Sequence, residues 1–209
     1  MRFIENFADR LAASRFSQAR QKMSNMELPV VAEAPKLPVM GAVHIPNIEI
    51  RRATPADADV AFALVDEYFC TIGVVLRENQ PEFIAEYFGE GRGIWLAQVA
   101  GELAGCIGLR KLHPSNVPEC AAGHCAEIKR MYLREKFRGK GIAQSLLESA
   151  EQFARGAGYA WIYLDTTNEM KTAARLYQRN GFERCERYNQ NPQAAIFMRK
   201  SISADEVDI

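Results

Sequence analysis

The chain has 209 residues, 48% hydrophobic and 25% charged, with 26 Lys plus Arg against 26 Asp plus Glu. That is enough chain to bury one sizeable core, and the balanced charge carries no global signature of a nucleic-acid or membrane binder. No apolar run reaches the length of a bilayer span and the N-terminus lacks the apolar core of a secretory signal, so a cytoplasmic protein with no membrane or nucleic-acid partner is expected.

Phe3, Phe7 and Leu11 recur at four-residue spacing, so residues 3–22 read as a helix. Pro29, Pro35, Pro38 and Pro46 then break up a small and apolar segment that runs extended. Residues 1–46 are therefore an arm outside the core; packing on the domain, homodimer formation and disorder are all open to it. Regular patterning begins at 47 with a strand over 48–54. Thr54 is placed to cap a helix and Pro55 to open it, ahead of Val60, Leu64, Val65 and Phe69. A second helix is expected over 81–89.

Strands over 94–100 and 103–112 flank Gly101-Glu102, a hairpin signal. Strands over 125–133 and 159–166 are separated by a helix with Ile142, Leu146, Leu147, Ala150 and Phe153 on one side. Such a crossover makes the two strands parallel. A helix over 170–180 stops at Gly181, and strands at 183–188 and 194–200 close a domain spanning 47–203, with an acidic tail at 204–209. The five cysteines hold no CxxC pair and predict no disulfide framework. His113, Cys120, His124 and Cys125 match no ordinary metal-ligand spacing, so no metal is expected.

Arg138-Gly139-Lys140-Gly141-Ile142-Ala143 puts glycines and basic charge where the central helix begins. Glycine admits positive φ and close ligand approach, while a helix N-terminus offers unpaired N–H groups and a positive dipole end. Two nucleotide loops fail here. A dinucleotide fingerprint needs glycine where Gln144 stands, and a Walker loop needs Ser or Thr where Gly141 follows Lys140.

The pattern R-x-x-G-x-A on Arg138, Gly141 and Ala143 resembles the acyl-CoA pyrophosphate loop of the GCN5-related N-acetyltransferases, the GNAT superfamily. The order of elements from about 48 to 202 is similar to that family's fold. An α/β (α+β) domain is implied, with a mixed, mostly antiparallel sheet, a central parallel pair splayed for acyl-CoA, and flanking helices. The stretch Ala174-Arg175-Leu176-Tyr177-Gln178-Arg179-Asn180-Gly181-Phe182 resembles the family's A-x-x-L-Y-x-x-x-G-F signature, with Ala173 at the alanine position. Many members carry asparagine seven residues before the tyrosine, where this chain has Met170. Leu164-Asp165-Thr166, Met170, Tyr188 and Asn191-Pro192 instead resemble a bacterial subgroup with L-D-T, M and Y-x-x-N-P at these places.

The resemblance implies that backbone groups of Met131, Tyr132 and Leu133 hold the pantetheine and acyl carbonyl. It implies that Arg138 and the amides of Gly139, Lys140, Gly141, Ile142 and Ala143 hold the pyrophosphate. Acetyl-CoA is then the co-substrate and a small-molecule amine the acceptor. Tyr177 is the candidate general acid, because a neutral phenol of pKa about 10 can protonate a departing thiolate whose parent thiol has pKa about 8.5.

Glu127 is the candidate base, but binding a cationic substrate and pairing with Lys129, on the same strand face, remain open to it. Arg110, Tyr188 and Asn191 are candidate acceptor-binding residues, as is Arg77 with less reason. An arginine there would suit a carboxylate-bearing amine. Two other readings stay open: a catalytically silent acyl-CoA sensor or assembly protein, and an acetyltransferase acting on a protein or peptide amine.

Overall fold

The structure, a computed structural model, describes residues 47–73, 78–112, 117, 120 and 123–203. The expected arm at 1–46, the tail at 204–209, Arg77 and His113 lie outside the described residues. Strand β1 (Ile48–Arg52) leads to Thr54, whose N–H donates to Asp57 Oδ2 at 2.8 Å, and a 3-10 turn at Pro55–Asp57 feeds α1 (Ala58–Ile72). This is the expected cap and proline opening, tightened by one turn. Helix α1 stops at Gly73, whose φ of 69° is the left-handed cap that glycine accepts most readily. Asn79 caps α2 (Gln80–Tyr87) by accepting the Glu82 N–H at 3.0 Å.

Strands β2 (Gly93–Val99) and β3 (Glu102–Lys111) form the hairpin, and β4 (Cys125–Leu133) follows. Helix α3 (Ile142–Gly156) crosses over to β5 (Trp161–Thr166), and α4 (Lys171–Arg179), β6 (Glu183–Arg184) and β7 (Ile196–Ser201) complete the chain. The sheet order is β1-β2-β3-β4-β5-β7-β6, and β4 with β5 is the only parallel pair among the described strands. The mixed, mostly antiparallel α/β architecture is the expected one. No described helix is long and apolar enough to cross a membrane.

Alternation along the strands gives the sheet two unlike faces. Ile107, Leu109, Ala126, Ile128, Ile162 and Leu164 join Ile142, Leu146, Leu147 and Ala150 of α3 and Leu176 and Tyr177 of α4 in one buried cluster. Each fully buried Leu or Ile contributes about 1.5–3 kcal/mol, so this face dominates the core. On the other face, Ile94, Leu96 and Cys106 pack with Leu64, Val65 and Phe69 of α1 and Phe83 and Tyr87 of α2. Arg110, Glu127, Lys129 and Asp165 share this second face by register and by their mutual contacts.

Two irregularities open the centre of the sheet. The β4–β5 ladder ends at Ile128↔Leu164, although β4 continues to Leu133 and β5 to Thr166, so the parallel strands part company there. Beside that point, Gly108 pairs with Lys129 and Cys106 with Tyr132, which puts one extra residue on β4. Arg130, at φ 56°, occupies this bulge. A bulge bends its strand and increases its twist, which carries the end of β4 away from β5.

Two expectations are corrected. The strand expected at 183–188 is only Glu183–Arg184, because the chain beyond it turns inward. Tyr188 is buried against Tyr163 and Phe197, and Asn189 and Asn191 accept the N–H groups of Asn191 and Gln193 in side-chain turns. The cysteines also hold one crosslink, Cys120–Cys125, with Cα atoms 5.2 Å apart, and Gly123 N–H donates to Cys120 O at 2.9 Å. No CxxC spacing announces it.

Candidate active site

The loop at 138–143 leads into α3 as its glycine spacing requires. Gly139 and Gly141 have φ of 75° and 80°, and a Cβ built on either meets nothing within 4 Å, so conformation rather than crowding selects glycine. The helical ladder begins with Ser145 N–H on Gly141 O at 3.2 Å, which leaves the amides of 142–144 without a helical acceptor. Arg138 is tethered by Nε to Leu133 O at 3.0 Å, and Lys140 Nζ lies 5.7 Å from the Phe137 ring centre. Open space, unpaired N–H groups, a dipole end and two cations fit a pyrophosphate. The unpaired edge of β4 past Ile128, where Met131, Tyr132 and Leu133 lie, fits an extended chain with amide groups.

Tyr177 lies on α4, 4% exposed, edge-on to Phe182 with ring centres 5.7 Å apart. Burial pushes its phenol up, and Tyr68 and Asp165 push further, so it stays protonated at neutral pH. Tyr177 packs with the α3 face, whereas Tyr68 packs beside the α1 face and Asp165 belongs to the second face of β5. Helices α3 and α4 are held together by Gln144 and Asn180, whose amides bond reciprocally at 2.6 and 2.9 Å.

On the second face, charges alternate across the strands. Glu86 of α2 meets Arg110 Nη1 at 2.9 Å, and Arg110 meets Glu127 through Nη2 at 2.7 Å and Nε at 2.8 Å. Lys129 Nζ lies 3.1 Å from Glu127 Oε1 and 2.6 Å from Asp165 Oδ2. The Lys129–Asp165 pair thus bridges β4 and β5 one residue past the end of their ladder. Tyr188 Oη donates to Glu127 Oε1 at 2.8 Å, Asn189 donates to both Glu127 and Asp165, and Asn191 Nδ2 reaches Asp165 Oδ1 at 3.2 Å. Burial opposes ionisation of Glu127, but Lys129, Arg110 and the Tyr188 bond outweigh it and hold the carboxyl below its ordinary value. Burial and the nearby Glu127 raise the Tyr188 phenol well above its own.

The structure therefore brings Arg110, Glu127, Tyr188 and Asn191 together, with Tyr177 buried on the α3 side of the sheet and the loop at one end of α3. Two surface depressions, lined by Arg155 with Ser201, Ile202 and Ser203 and by Glu90, Arg92 and His124, lie toward the C-terminal end of α3. A helix of this length carries them about 22 Å from its N-terminal loop. Asp165, Asn189 and Glu86 were given no role by sequence. Asp165 had a signal, a lone carboxylate in an otherwise apolar strand; the other two meet their partners only through the fold. No group of three or more metal-ligating side chains occurs among the described residues.

Residues 61–182 match the Acetyltransferase (GNAT) family. The chain is 32% identical over 153 residues to the N-acetyltransferase YjgM of Escherichia coli, covering 72% of this chain and 84% of that protein. It is 31% identical over 156 residues to the N-acetyltransferase C1271.07c of Schizosaccharomyces pombe, covering 71% and 91%. A GNAT-family acetyltransferase from Staphylococcus aureus Mu50 shares the fold with a TM-score of 0.62 at 17% identity, over 75% of this chain and 99% of that one. A protein with this sheet and this sequence similarity belongs to the GNAT family of N-acetyltransferases.

Proposed function

We propose that the chain transfers the acetyl group of acetyl-CoA to the primary amine of a small molecule. The observation that carries this reading is the opening between β4 and β5 past Ile128↔Leu164, with the glycine loop at the start of α3 and Tyr177 packed in the same cluster as Ile128 and Leu164. The amides of 139–143 with Arg138 and Lys140 grip the pyrophosphate, and the free edge at Met131, Tyr132 and Leu133 pairs with the pantetheine. Bound acetyl-CoA supplies an acyl carbon activated as a thioester.

The amine nitrogen forms the new C–N bond and the C–S bond breaks, so the sulfur leaves with the electron pair. The amine gives its ammonium proton to water before it attacks, Tyr177 donates its proton to the departing sulfur, and the proton the nitrogen sheds once the C–N bond has formed returns through water to restore the phenol. Glu127 acts as an anchor rather than a base. Its carboxylate already binds Arg110, Lys129, Tyr188 and Asn189, and these partners make it a weaker proton acceptor. The side chains around it orient the acceptor.

Release of free thiol from acetyl-CoA, measured against amino acids, polyamines, aminoglycosides and peptides, tests the reading. Tyr177→Phe should bind acetyl-CoA as the wild type does but lower kcat about 10- to 100-fold. Wild-type kcat in that variant removes Tyr177 from the mechanism.

A further inference from the structure

Tyr87, at the end of α2, is 1% exposed, and its hydroxyl has no hydrogen-bond partner among the described residues. A buried polar atom left unpaired is costly, and such atoms concentrate where a ligand completes the site. The ring lies on β3 so closely that a Cβ on Gly108 would come within 2.6 Å of Tyr87 Cε1. Gly108 is two residues before Arg110 and on the same strand face. The ring thus lies on the strand face that carries Arg110, whose Nη1 reaches Glu86, the helical neighbour of Tyr87, at 2.9 Å.

The neighbouring Arg110 divides its donors unequally. Nε and Nη2 are held by Glu127, which is 1% exposed, whereas Nη1 meets Glu86, whose side chain is 42% exposed. A half-exposed ion pair contributes little and exchanges readily, while the buried one does not. A ligand carboxylate that replaces Glu86 on Nη1 keeps the local charge unchanged and gives the Tyr87 hydroxyl an acceptor. We propose that the amine acceptor carries a carboxylate, bound between Tyr87 Oη and Arg110 Nη1 in the place of Glu86, so that the substrate class is that of amino acids. Arg130 on β4 is already engaged, held by Glu78 at 2.9 Å and stacked 4.7 Å from the Phe69 ring centre.

This inference rests on the amine acetyltransferase reading. It is tested with the full chain at saturating acetyl-CoA, using L-amino acids each paired with its primary amide and with the amine that lacks its carboxylate. The acids should have at least about 10-fold higher kcat/KM than either uncharged counterpart. Tyr87→Phe should raise KM for the acids about 10-fold while leaving KM for acetyl-CoA and for the amides unchanged. Its Tm should not fall, because the substitution removes an unpaired hydroxyl and keeps the ring. Glu86→Gln should lower KM for the acids by removing the competing carboxylate.

Equal turnover of amides and acids would overturn the proposal, as would wild-type KM for the acids in Tyr87→Phe. So would refusal of every carboxylate-bearing amine by a chain that binds acetyl-CoA. Failure to bind acetyl-CoA at all would instead strike the acetyltransferase reading, and the inference with it.

Discussion

The glycine loop at 138–143 and the charged row from Glu86 to Asp165 flank the same opening in the sheet, yet they are made of different material. The loop works through backbone: two positive φ values, open space beyond both glycines, and first-turn amides with no helical acceptor. The row works through side chains from α2, β3, β4, β5 and the segment before β7, each satisfied by a neighbour from another element. Under the proposed function, the loop as a pyrophosphate grip tolerates many side chains provided its glycines remain, whereas the row as an acceptor site changes its preference when single side chains change.

Removal of Glu127 breaks the row at its centre and is the largest effect expected. Glu127→Ala leaves Arg110 and Lys129 facing a buried hole and should cost about 3 kcal/mol in urea unfolding, toward the lower end for a buried network because Arg110 keeps Glu86 and some solvent access. A cost below about 1 kcal/mol would mean that the row is incidental. Next comes the loop: Gly139→Asp with Gly141→Asp strains both φ values and repels a pyrophosphate. Acetyl-CoA affinity should fall about 100-fold, and the strain at two positive φ values should lower the urea midpoint by the equivalent of about 1 kcal/mol per site. Loss of stability without loss of affinity would reverse the assignment of the two halves.

Acid separates the halves differently. Because folding depresses the Glu127 carboxyl below its ordinary value of 4.5, its contribution is complete above that pH and disappears as pH falls through the depressed folded value. The urea midpoint should therefore drop below pH 4.5, and Glu127→Gln should lack this component of the drop. An identical acid profile in the variant would show that the carboxylate is not what folding protonates against. The smallest effect is expected behind the loop: Asn180→Ala removes the bonds to Gln144 that join α3 and α4 and should cost about 1 kcal/mol.

This division also explains what could be read before the fold was known. The loop and most elements are local features: Thr54 and Pro55 open a helix, Gly181 follows one, and Arg138 to Ala143 carry their spacing within six positions. The Tyr177 helix was legible for the same reason. Arg110, Glu127 and Asp165 become neighbours only through the registers Arg110↔Glu127 and Ile128↔Leu164, which no local pattern states. The segment after Arg184 alternates well enough for a strand, but Tyr188 and Asn189 find stronger partners in Glu127 and Asp165 than a ladder would provide. Tyr87 reads as an ordinary core aromatic until its hydroxyl is seen to lack a partner.

The central claim is that both halves serve one transfer, and the most direct measurement is thiol release with acetyl-CoA and an amine panel, run beside calorimetric binding of acetyl-CoA. The account predicts saturable binding and amine-dependent release of CoA, with an N-acetyl product in equal amount. Tight binding with no amine-dependent release across the panel would contradict it.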